Sequence, residues 1–194
     1  MFWFTILSTL PYMNYVFCMR RKFRKVNSSI GKIISCQKNQ YIHLSSSVRI
    51  KDYCRIDCID TWNNQKLQPY FEIGKGVIIN DYFTAFITDN CKIGDNCIFA
   101  NRCTIVTENH GMNPEDASPY HAQNLVNGPV SIGKNCWIAT EVIFLPNSSI
   151  GDNVIVAAHS VVNKKFPSNV IIAGAPAKII KVYNFTTHRW EKVN

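Results

Sequence analysis

The first 25 residues contain no Asp or Glu, yet Arg20, Arg21, Lys22, Arg24 and Lys25 all fall there. The formal charge of +8 is therefore uneven, and the rest of the chain carries 16 bases against 13 acids. A duplex-binding surface spreads its cations along a groove or helix, so this distribution excludes a general nucleic-acid face. The repeat region also lacks the interleaved aromatic and basic residues of a single-strand platform. No Gly-rich phosphate loop of the P-loop or dinucleotide type occurs, which removes support for kinase or dehydrogenase chemistry. No second cysteine pair accompanies Cys54 and Cys58, so their C-x3-C spacing does not complete a zinc site. His110 and His121 flank one polar stretch and His159 lies far from both, so no three-histidine metal centre is expected.

What the chain does have is a period of six. From Val130 to Val162 it reads VS, IGKNCW, IATEVI, FLPNSS, IGDNVI, VAAHSV, V, with Ile132, Ile138, Phe144, Ile150 and Val156 recurring every sixth residue. Cys136, Val142, Ser148, Val154 and Ser160, all small or branched, hold the fifth place. Neither the helical period nor the simple alternation of a strand sustains that spacing. A hexapeptide repeat instead marks a parallel β-helix, in which six residues make one short strand and one corner. Each first-place side chain points inward, and stacked coils bury a core that no single repeat could bury. The corners are expected to need unusual backbone conformations, supplied by Gly133, Gly151, Asn135 and Asn153.

The repeats begin weakly near Ile30 and become readable from Ile50. Residues 61–70 (TWNNQKLQPY) read as a loop that breaks the coil. The pattern resumes over 73–84 and 93–104, then breaks again across 107–129. That second interruption is too long and too polar for a coil, and long loops on rigid scaffolds usually carry function. After Val162, two more short strands are expected around Gly174, Ala175 and Pro176.

Eight cysteines do not make a disulfide framework here, because Cys91, Cys97, Cys103 and Cys136 sit at fifth places where a small apolar side chain is wanted. Buried thiols in a reducing cytoplasm are expected. Residues 1–19 are largely apolar and run into RRKFRK, with the charge after the apolar run and not before it as in a signal peptide. Pro11 and Asn14 weaken a membrane span, while Trp3, Leu7, Leu10 and Phe17 fall near one helical face. Packing on the domain or a neighbouring subunit, contact with an anionic membrane surface, and a span all stay open. The expected organisation is a helical arm over 1–29, a β-helix over 30–182 with an extruded loop at 107–129, and a tail over 183–194.

The stretches IGDNCIFANRCTIVTENHG (93–111), GPVSIGKNCWIA (128–139), LPNSSIGDNVIVAAHSVV (145–162) and AGAPAKIIK (173–181) resemble the hexapeptide-repeat sugar O-acetyltransferases. The subgroup that acetylates capsule, O-antigen and sialic acid polymers looks nearest. The resemblance implies an all-β fold, a left-handed parallel β-helix; the handedness runs against the usual crossover rule and comes from the resemblance alone. It also implies a homotrimer, acetyl-coenzyme A as acetyl donor, and a glycan acceptor that is a polymer or lipid-linked. The expected location is the cytoplasm, at the inner face of the membrane, with residues 1–25 available for peripheral contact.

His110 stands where that family carries its catalytic base, and imidazole is the side chain suited to deprotonate a sugar hydroxyl near neutral pH. Asn80 stands thirteen residues before Ile93, the family's place for an acceptor-binding amide, although a corner Asn of left-handed conformation reads equally well. Trp137 occupies a sixth place, which points outward, and suits stacking on a sugar, shaping the thioester pocket or contacting a subunit. Thr140 and Ala158 are expected to offer backbone groups to the pantetheine arm. Asn163, Lys164 and Lys181 are expected near the nucleotide, the lysines as point charges on phosphate. Usual repeat glycines are replaced by Ala139, Asn147, Ala157 and His159, and no proline follows His110. Tyr120 and His121 in the loop leave room for an acceptor larger than a free disaccharide. A non-catalytic scaffold and an amino-sugar N-acetyltransferase are the competing readings.

Overall fold

The computed structural model describes Arg24 and residues 26–193, so the arm expected over 1–29 and its membrane contact lie almost wholly outside the described residues. The chain winds into a coil of three parallel sheets. The first face stacks Ser29–Ile30, Arg49–Ile50, Ile78–Ile79, Ile98–Phe99, Trp137–Ile138, Ile155–Val156 and Val170–Ala173. The second stacks Ile33–Gln37, Cys54–Cys58, Thr84–Ile87, Thr104–Val106, Ile143–Phe144 and Val161–Val162. The third stacks Ile42–Leu44, Tyr70–Ile73, Asn90–Ile93, Val130–Ile132, Ser149–Ile150 and Lys165–Phe166.

The sixfold spacing produces this directly. On the first face Ile79, Phe99, Ile138, Val156 and Ile172 fall in register. On the second, Ile56, Ala85, Ile105, Phe144 and Val162 do the same, and on the third Ile73, Ile93, Ile132, Ile150 and Phe166. These columns and the fifth-place Cys97, Cys103, Cys136, Val142 and Val154 are buried in one continuous cluster. Phe83 and Phe99 meet edge to face inside it, ring centroids 5.6 Å apart.

The corner chemistry differs from expectation in one respect. Positive φ falls on the fourth place of each hexad, at Asn135, Glu141, Asn147, Asn153 and His159. Gly133 and Gly151 are not in that region; they are needed because coils approach too closely there. A Cβ on Gly133 would lie 2.4 Å from the Gly151 carbonyl carbon. The side-chain amides of Asn135, Asn153 and Asn169 then form a ladder along this corner, at 2.8 and 2.9 Å.

Two segments depart from the coil. Residues 61–70 are not simple loop: Thr61–Trp62 pairs antiparallel with Gln65–Lys66 around a tight reversal, with Asn63 at φ 49°. At the far end Lys178–Asn184 turns back antiparallel on Val170–Ala173 and pairs with Arg189–Lys192, so the boundary expected at 182/183 falls within a strand.

Candidate functional site

The 107–129 loop leaves the coil at the corner between the second and third faces. Its two ends are zipped, with Glu108–Asn109 antiparallel to Val126–Asn127 and the Gly128 amide donating to the Thr107 carbonyl at 2.9 Å. His110 follows this ladder and is exposed. Gly111 is pressed against the buried Gln123, where a Cβ would lie 2.6 Å from both Cβ and Oε1 of Gln123. That close approach accounts for glycine directly after the histidine. The Gln123 amide in turn organises the loop, accepting from Asn113 N at 3.1 Å and donating to the Asn113 and Ser118 carbonyls at 3.0 and 3.1 Å.

The Thr61–Lys66 hairpin emerges from the same corner, earlier in the coil, and grips this loop. Trp62 Nε1 donates to the Gln123 carbonyl at 3.1 Å, and Asn63 Nδ2 to the Ala122 carbonyl at 2.9 Å. Gln65 donates to the Leu125 carbonyl at 3.0 Å and accepts from the Leu125 amide at 2.7 Å. The Trp62 ring meets His110 edge to face, centroids 5.2 Å apart and planes at 64°. Sequence reasoning missed Trp62, and the one signal for it was an aromatic residue in an otherwise polar interruption.

Glu108, two residues before His110, is partly sheltered by the root of the loop. Its carboxyl sits beside Thr107 and Thr88, and burial raises its pKa to about 7 against the opposing hydrogen bonds from those threonines and the local amides. One oxygen, Oε2, is buried without a hydrogen-bond partner.

The remaining expected residues distribute over the coil. Asn163 and Lys164 lie on the same corner as the loop, further along the axis, and are exposed. Thr140 and Ala158 lie on the corner between the first and second faces, and neither N–H is spent on a hydrogen bond among the described residues. Asn80 shares that corner; its amide donates to the Phe99 carbonyl at 2.8 Å, and the left-handed residue there is Tyr82, at φ 61°. His159 projects outward on the same corner, three coils further along, Nδ1 3.1 Å from Glu141 Oε2, with Arg102 3.5 Å from the same carboxylate. Trp137 stands 54% exposed on the outside of the first face, between Ile98 and Ile155. Lys181 is half-buried in the returning strand on that face. A single chain therefore does not bring Asn80, Trp137, Thr140, Ala158 or Lys181 to His110: the first face lies across the coil from the loop's corner, and the corner between the first and second faces is at the far edge of the second face. Among the described residues no group of three or more His, Cys, Asp or Glu side chains is placed to hold a metal ion.

The bacterial transferase hexapeptide (six repeats) family matches residues 129–164. The chain is 37% identical over 132 residues to the putative lipopolysaccharide biosynthesis O-acetyl transferase WbbJ of Escherichia coli (strain K12), covering 61% of this chain and 67% of that one. The chain belongs to the hexapeptide-repeat acetyltransferase family. Galactoside O-acetyltransferase of the same organism is 34% identical over 126 residues, 59% of this chain and 58% of that one. Thus the chain spans little more than half of that second relative. A galactoside acetyltransferase solved in complex with coenzyme A shares the fold, with a TM-score of 0.55 at 22% identity over 86% of this chain and 73% of that one. The coil of this hexapeptide-repeat acetyltransferase is accordingly a left-handed parallel β-helix. No helix among its described residues is long and apolar enough to cross a membrane.

Proposed function

We propose that this hexapeptide-repeat acetyltransferase moves an acetyl group from acetyl-coenzyme A to a sugar hydroxyl of a bacterial surface glycan, with His110 as general base. The observation that carries the reading is His110 itself: an exposed imidazole at the end of a zipped loop, braced on one side and open on the other. The imidazole takes the hydroxyl proton as the oxygen attacks the thioester carbonyl, and the departing thiolate is reprotonated as the carbon–sulfur bond breaks. Direct transfer needs no covalent enzyme intermediate. Acetyl-coenzyme A supplies the activated acetyl group.

The unspent N–H groups of Thr140 and Ala158 fit an extended, amide-bearing arm running along the coil axis. Asn163, Lys164 and Lys181 would meet the nucleotide end, and Asn80 and Trp137 the acceptor. Because those on the first face, and on its corner with the second, lie away from the corner that carries His110, the reading requires a second copy to supply them, and a closed homotrimer does so. Buried thiols suit a reducing cytoplasm, at the inner face of the membrane where the glycan or its lipid-linked precursor is available.

The test is thiol release from acetyl-coenzyme A with surface glycans, simple sugars and amino sugars as acceptors, for wild type and His110→Ala. Turnover with a hydroxyl acceptor that the variant loses supports the reading. Equal turnover by a folded variant removes His110 as base, and turnover with amines alone makes the enzyme an N-acetyltransferase. Failure of wild type to bind coenzyme A would point to a scaffold.

A further inference from the structure

A general base needs a ring held in one orientation, and in most sites a hydrogen-bonded partner provides the hold. Among the described residues no hydrogen bond or ion pair is made by either ring nitrogen of His110, and the aromatic contact that touches its ring is Trp62. We infer that Trp62 is a positioning residue for His110, and that its hairpin and the 107–129 loop form one clasp that sets the angle of the imidazole. The inference rests on the reading of His110 as base.

The clasp is built to be stiff. The indole is half-buried, and its N–H is committed to the Gln123 carbonyl at 3.1 Å. Gln123 is itself buried, holds the loop through three amide hydrogen bonds, and packs without a gap against Gly111, the residue after His110. The path from Trp62 to His110 therefore closes on itself, once through ring contact and once through Gln123 and Gly111. Asn63 and Gln65 fasten the neighbouring residues of the hairpin to Ala122 and Leu125 with three further bonds. A hairpin that served only to cap the coil would need none of these. Leaving both imidazole nitrogens unbonded also keeps one free to accept a proton while the other faces solvent or substrate.

The first readout needs no acceptor: the His110 ring signals in a proton–carbon NMR spectrum, assigned by loss in His110→Gln. The indole edge contact should displace these signals in wild type, Trp62→Ala should return them toward the free-histidine position, and Trp62→Phe should restore most of the displacement. Unchanged His110 signals in a folded Trp62→Ala protein would overturn the inference. The second readout is thiol release from acetyl-coenzyme A with whichever acceptor the wild-type enzyme turns over. Trp62→Ala should lower kcat by about tenfold or more with the KM for acetyl-coenzyme A within about twofold, and should have no further effect in a His110→Ala background. If His110→Ala is silent while Trp62→Ala turns over like wild type, the positioning role fails and the base assignment stands. If His110→Ala is fully active, the base assignment fails on its own, whatever the Trp62 signals show.

Discussion

Glu108 faces Asn127 across the two-residue antiparallel ladder that closes the root of the His110 loop. The pairing fixes a carboxyl where water does not reach both oxygens, and Oε2 is left without a partner. A buried acid of this kind binds its proton more tightly in the folded chain than in the unfolded one.

That linkage has a definite sign. Burial lifts the Glu108 carboxyl from its ordinary 4.5 to about 7, so its contribution to stability is complete below 4.5 and is lost as pH rises toward 7. Glu108→Gln, neutral throughout, should be more stable than wild type above pH 7 by about 1 kcal/mol, a figure reduced for partial solvent access. Its stability should also be flatter between pH 4.5 and 7. Urea midpoints of the two proteins across that range check this, and parallel curves would show that Glu108 titrates like a solvated acid.

The coil's close approach at Gly133 gives a second expectation. Gly133→Ala places a methyl 2.4 Å from the Gly151 carbonyl carbon, in backbone that cannot yield without opening the stack. It should cost about 2–3 kcal/mol, in line with overpacked sites. Lys134→Ala, one residue on, removes an exposed pair with Asp95 at 3.6 Å and should cost under about 0.5 kcal/mol. Thermal or urea unfolding of both variants separates a steric constraint at Gly133 from a general sensitivity of the corner.

Cysteine reactivity should follow burial. Desolvation raises the Cys54 and Cys103 thiols to about 11, and Cys91 is raised by burial as well. The nucleophilic thiolate is then scarce at neutral pH. Iodoacetamide at pH 7.5 should leave Cys54, Cys91 and Cys103 unmodified in the native protein and label all three after unfolding, as read by peptide mass spectrometry. Rapid native labelling at these positions would mean that the coil opens on the timescale of the reaction.

The proposed function sets Lys164 against the nucleotide; it is exposed and makes no ion pair within the described chain, its ammonium lying 5.6 Å over the Phe166 ring. Lys164→Ala should raise the KM for acetyl-coenzyme A by about fivefold with kcat unchanged, the loss expected for one solvent-screened charge contact. An unaltered KM would place the nucleotide away from this corner.

The fold is legible in the sequence because its information is repeated. Ile132, Ile138, Phe144, Ile150 and Val156 each state the same inward direction, and one misplaced residue would not hide the period. The extruded loop is legible for the complementary reason, as the place where the period stops. The corner glycines mislead as to mechanism: glycine suits both positive φ and close approach, and only stacked coils reveal which applies to Gly133. The hairpin at Thr61–Lys66 reads as loop because two residues on either side of a reversal are too few to show alternation.

By itself the sequence determined the coil, the three inward columns and the histidine at the edge of the interruption. These follow from local spacing, which a periodic fold copies directly into space. Only the tertiary structure decided that Trp62 meets His110, that Glu108 is sheltered from water, and that Trp137 and Thr140 lie away from the loop's corner. The reason is the same in each case: contacts between two insertions, and the side of the coil on which a residue faces, depend on how turns stack, and no run of neighbouring residues records that.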